Sequence, residues 1–194
     1  MDADYSIELG RDDPVLDLPW TDPSGKLAYF DLKRHPELLE KIEEARTHRE
    51  LAELLTKLNS PRSAVESAKC DVWSTTELSA GEDIYNASRK FASYVDIVFS
   101  DIAQRSSFAF HEGFVKKLAE LLRRAPEIPS SVEICVRRCF FGGNVNVREG
   151  FYLTVYANGF GNNEAEARRN WAVALQLVGN AILQLSSRQQ EGPR

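Results

Sequence analysis

Lys69, Asp71 and Trp73 occupy alternate positions of the stretch Ala64–Ser74. On an extended strand that spacing turns all three to one side. Val65 falls with them, whereas Ala64, Ala68, Cys70 and Val72 form a small apolar set suited to lie beneath helices. A cation, an anion and a large ring on one surface can stack a flat or apolar ligand while the charges orient it. Three further alternating stretches extend the same surface. Tyr94 and Asp96 stand opposite Val95, Ile97 and Phe99; Glu133 and Arg137 stand opposite Val132, Ile134 and Val136; Tyr152, Thr154 and Tyr156 stand opposite Leu153 and Val155. The candidate binding residues are therefore Lys69, Asp71, Trp73, Tyr94, Asp96, Arg137, Tyr152 and Tyr156.

Such a face has three readings. It can hold a small molecule, or it can bury against a protein partner, since Tyr, Trp and Arg are enriched at binding hot spots. A second copy of the chain is one such partner, and the protein partner is the reading favoured here. Alternatively, the N-terminal segment covers the rings and the charges merely neutralise one another. A different class of function, an enzyme on a small anionic substrate, would use Asp71 or Asp96 as acid or base and Lys69 or Arg137 as the anion anchor. No nucleophile–base–orienter set emerges, so no catalytic residue is assigned.

Other motifs carry less. Cys135 and Cys139 lie four residues apart on a strand, about 13 Å, too far for one zinc ion or a disulfide. Cys70 has no histidine placed to activate it. His111-Glu112 lacks the second histidine of a zinc-protease helix. Asn158-Gly-Phe-Gly-Asn-Asn joins a strand to a helix but has no phosphate-loop lysine, and Glu164 and Glu166 would repel an anion, so it reads as a turn with a helix cap. No metal and no cofactor is expected.

The elements that must position the face follow from periodicity. Strands are expected at 64–74, 91–100, 131–141 and 150–158, the third followed by turn residues Gly142-Gly-Asn. Helices are expected at 111–124 and from a cap at Asn162 or Asn163 through Trp171, Leu175, Val178 and Ile182, with Gly179 allowing close helix packing. The order strand-strand-helix, twice, predicts an α+β fold: a four-stranded antiparallel sheet with two long helices on one face. Two helices precede it, Pro36–Ala45 and one opened by a capping box of Thr47 and Glu50. Residues 1–34, turn-rich but holding Trp20, Tyr29 and Phe30, read as an ordered arm, 35–188 as one domain, and 189–194 as a flexible tail.

Composition sets the outer bounds. With 194 residues, 43% hydrophobic and 27% charged, the chain can bury a real core. Its net charge of −5 argues against binding nucleic acid or an anionic membrane surface. Three cysteines and an acidic start without a signal-peptide pattern lead to the expectation of a cytoplasmic protein.

Overall fold

Alternating apolar residues in the four expected strands do bring them side by side in one sheet. In the computed structural model, which describes residues 1–142 and 146–190 (without the side chains of Ala80, Asp83 and 187–190), these strands are joined by two more. In chain order they are β1 (Asp2–Glu8), β2 (Val15–Leu18), β3 (Val65–Thr75), β4 (Arg89–Phe99), β5 (Ser130–Phe141) and β6 (Arg148–Gly161). The order across the sheet is β1-β5-β6-β4-β3, and β2 continues the line of β1 along β5. β1 and β2 run parallel to β5, whereas the remaining pairs are antiparallel. The fold is thus mixed α/β with a six-stranded mixed sheet, not the four-stranded antiparallel sheet expected. The expected turn at Gly142-Gly-Asn lies partly outside the described residues, as does the tail beyond 190.

The helices are α1 (Glu43–Thr47), α2 (Arg49–Leu58), α3 (Ile102–Arg105), α4 (Phe108–Arg123) and α5 (Glu164–Gln190). A single helix over Pro36–Ala45 does not form. A 3-10 turn covers Pro36–Lys41, and Ile42 is extended before α1 begins. The capping box is absent as well: the Thr47 hydroxyl donates back to the Glu43 carbonyl at 2.9 Å, and Glu50 accepts from Arg168 of α5 at 2.9 Å. Glu50 therefore ties α2 to α5 instead of closing its own helix end. Asn163 does cap α5, accepting from the Glu166 amide at 3.0 Å.

One face of the sheet carries the main core. Phe91, Val95, Ile97 and Phe99 of β4, with Val132, Ile134, Val155 and Ala157, pack against Phe114 and Leu118 of α4 and Trp171 and Val178 of α5. The phase of β3 departs from simple alternation. A bulge between Ser67 and Lys69 inserts one residue. Val65 therefore lies in the main core, while Ala68 joins the opposite face. Past the bulge, Lys69, Asp71 and Trp73 keep the side expected of them.

The glycines of Asn158-Gly-Phe-Gly lie within β6, not in a turn, and they seat α5 on the sheet. A Cβ at Gly159 would collide with the backbone of Ala167 and Trp171, and one at Gly161 would come within 2.6 Å of the Ala167 amide. Neither neighbour is a flexible side chain that can swing away. Gly159→Ala is therefore expected to lower stability by about 2 kcal/mol. A shift in the urea midpoint with unchanged slope would register it; an unchanged midpoint would show that α5 can lift off without loss. Gly179, where α2 and α5 meet, is looser, its Cβ position reaching only the mobile ends of Leu54 and Lys57 at 3.0 Å.

Candidate functional site

All eight expected binding residues project from the face opposite the long helices. Register brings them together: Lys69 is opposite Asp96, Asp71 opposite Tyr94, Tyr94 opposite Tyr156, and Arg137 opposite Tyr152. The rings form a row across three strands, with Trp73 and Tyr94 centred 6.4 Å apart and Tyr94 and Tyr156 6.0 Å apart. Trp73 is 38% exposed, high for so large a ring.

Part of this face is covered. After β2 the chain crosses the sheet, and Leu16, Leu18, Trp20 and Tyr29 pack over Ala68, Val98, Cys139, Phe141 and Tyr152 as a second apolar cluster. Trp20 reaches the far edge, where its indole N–H donates to the Ala68 carbonyl at 2.7 Å. Tyr152, expected as a binding residue, is left 3% exposed. The arm takes it out of reach of any ligand because its ring completes that cluster. The part left open runs from Trp73 through Tyr94 to Tyr156.

A polar chain runs beneath the open part from the edge strand β1 across β5 and β6 to β4. Glu8 of β1 accepts from the Arg137 guanidinium at 2.7 Å, Arg137 donates to the Thr154 hydroxyl at 2.9 Å, and Thr154 donates to Asp96 at 2.6 Å. Arg137 also donates to the Tyr156 hydroxyl at 3.3 Å. Burial works to raise the Glu8 carboxyl, but the bond and charge of Arg137 outweigh it and hold it below its ordinary value. Asp96 goes the other way. It is 6% exposed, and burial pushes its carboxyl up to about 6 against the opposing Thr154 bond and the charges of Lys69 and Arg137. Arg137 is thus engaged within the fold and offers no free fork to an anionic ligand.

Glu8, Glu133 and Cys135 bring ligand atoms within 4.8 Å of one another. The set suits a cation poorly, because the Arg137 guanidinium already neutralises Glu8 and burial pushes the Cys135 thiol up to about 12. Cys70 is likewise held protonated, at about 12, by burial and by the charges of Glu44, Asp71 and Asp96. Neither thiol is an activated nucleophile.

A cavity of about 420 Å³ opens at the β3 edge, where the exposed face turns the corner. Trp20, Phe30, Leu32, Ile42 and Leu55 give it apolar walls, and Lys69, Cys70, Asp71 and Tyr94 contribute the side belonging to the sheet. Lys41, Glu43 and Glu44 add charge of both signs. No family model, curated protein or solved structure matches the chain. The site is therefore read from its own geometry. Sequence reasoning reached three of its residues but missed the cavity, because three further segments, the arm, the turn into α1, and α2, close over β3 and β4 to form it. The visible signal was a second apolar run in the arm, Leu27-Ala-Tyr-Phe, following that of Val15, Leu16, Leu18 and Trp20.

Proposed function

We propose that this is a non-catalytic binding protein whose ligand occupies the cavity at the β3 edge and the adjoining uncovered part of the sheet face. The carrying observation is the continuity of the two: Lys69, Asp71 and Tyr94 belong to the aromatic and charged face and also line a cavity of about 420 Å³. That volume lies within the range of small-ligand sites, roughly 300–1,000 Å³, and combines apolar walls with a few polar groups in the usual way. Self-association through the whole face is less well supported, because the arm takes Tyr152 and its neighbours out of the surface a flat interface would use. The enzyme reading rests on the raised Asp96 carboxyl alone. That group is almost wholly buried and bonded to Thr154, and no histidine lies among the residues lining the cavity.

A thermal-shift screen of small amphipathic compounds on wild type and Ala28→Phe tests the reading, since Ala28 lines the cavity and a phenyl group would fill part of it. A ligand at 100 times its dissociation constant stabilises by about 2.7 kcal/mol. The expected result is stabilisation of wild type that is lost in the filled variant, with both giving the same far-ultraviolet spectrum. Stabilisers that act equally on both proteins would place the site elsewhere.

A further inference from the structure

The outer edge of β3 is sealed along one half and open along the other. From Ser63 to Ala68 the chain caps it with its own side chains. Lys33 donates to the carbonyls of Ser63 and Val65 at 2.6 and 3.0 Å, Asn59 accepts from the Ser67 amide at 3.1 Å, and Trp20 donates to the Ala68 carbonyl. Beyond Ala68 no other segment among the described residues caps the edge. The Ser100 amide donates to Ala64, which marks one inward-facing residue, and past the bulge the inward positions fall at Lys69, Asp71 and Trp73. Cys70, Val72 and Ser74 then direct their N–H and C=O groups away from β4. In agreement, the Val72 amide donates to the Asp71 carboxylate of its own strand, at 2.7 Å. No side chain or arm backbone group among the described residues bonds the amide or carbonyl of Cys70.

The cavity straddles the point where the sealing ends, with Ser67 and Ala68 of the sealed half lining it beside Lys69, Cys70 and Asp71. It wraps the edge, reaching Ile42 and Leu55 on the helix side and Lys69, Asp71 and Tyr94 on the open face, with Cys70 between. Unpaired edge groups accept an added strand, whose side chains alternate between the two faces of the sheet. A cavity lying to both sides of such an edge receives successive side chains of an extended chain, a shape that a compact ligand does not need.

We propose that the ligand of this cavity is a short extended peptide. Its backbone pairs with the N–H and C=O of Cys70. One large apolar side chain enters between Ile42 and Leu55, and the neighbouring polar side chain lies over Tyr94 beside Lys69 and Asp71. The assignment rests on the cavity being the binding site, and it names the ligand class for that site. The cavity volume limits the peptide to a few residues.

Three probes separate the two claims: acetyl-Thr-Leu-Thr-methylamide, the same peptide N-methylated at leucine, and 4-methylpentan-1-ol. Each is titrated into wild type and Ala28→Phe, followed by amide chemical shifts and by hydrogen exchange at Cys70. The expected result is binding of the parent peptide at least tenfold tighter than its N-methylated form, slowed exchange of the Cys70 amide, and loss of both effects in Ala28→Phe. If the alcohol perturbs the cavity residues while the two peptides bind equally, or Cys70 exchange is unchanged, strand addition is overturned and the cavity survives as an apolar site. If no probe perturbs residues around the cavity, both claims fall together.

Discussion

Trp171→Ala is expected to lower stability by about 3–5 kcal/mol and the melting temperature by roughly 10 °C. The indole is fully buried at the join of α5 and the sheet, 4.8 Å from the Phe91 ring and 6.0 Å from His48. Its N–H donates to the Ser93 hydroxyl of β4 at 2.8 Å. Truncation removes the ring contacts, leaves a cavity that the rigid sheet cannot close, and strips a buried hydroxyl of its donor. Trp171→Phe separates these effects: most of the packing stays and the hydrogen bond goes, so a loss of about 1–2 kcal/mol is expected. Urea unfolding followed by circular dichroism measures both. An alanine variant within about 1 kcal/mol of wild type, well short of the usual cost of such a truncation, would show that α5 is held by its other contacts.

Asp96→Asn is expected to stabilise the protein at neutral pH, by an amount that shrinks on acidification. The folded carboxyl titrates at about 6, above its ordinary value of 3.8, so the native state binds the proton more tightly than the unfolded chain. The stability this contributes is fully present below about pH 4 and is lost as pH rises through about 6. A separation of that size between the folded and unfolded carboxyl corresponds to about 3 kcal/mol, and burial of the group leaves little screening to discount. The asparagine variant keeps a carbonyl for Thr154 and has no charge to bury. Unfolding midpoints of both proteins, followed from acid to neutral pH, should therefore diverge as pH rises, the variant above wild type. A variant less stable than wild type at neutral pH would mean that the charges of Lys69 and Arg137 outweigh desolvation.

The central strands were legible because each buries one face, and a period of two then writes the partition directly into the chain. Phe91, Val95, Ile97 and Phe99 lie on the helix side as their spacing predicts, and Tyr94 and Asp96 lie on the other. β1 was overlooked although Ala3, Tyr5 and Ile7 alternate with Asp2, Asp4, Ser6 and Glu8. Its apolar members are small or half exposed at a sheet edge, and a parallel partner so distant in sequence leaves no local signature. The bulge at Ala68 was invisible for a different reason: an inserted residue changes the phase without changing composition. The open face was found at the level of which residues share it. Which of them remain reachable depends on the path of the arm, and neither Tyr152 nor Arg137 carries any local mark of being covered or engaged.

The parallel pairing of β1 with β5 also governs the order in which the nascent chain can fold. Asp2 pairs with Ser131 and Glu8 with Arg137. During synthesis at about 5–20 residues per second, β1 therefore waits on the order of ten seconds for its partner to be made, and longer for that partner to leave the ribosome. A free strand is a template for the wrong neighbour. Acidic residues at positions 2, 4 and 8 keep this one hydrated and mutually repulsive through the interval, and Glu8 then closes on Arg137 once that residue is made. Although β1 precedes every other strand of the sheet, it is thus among the last to dock, and its charge pattern serves the waiting as well as the finished sheet.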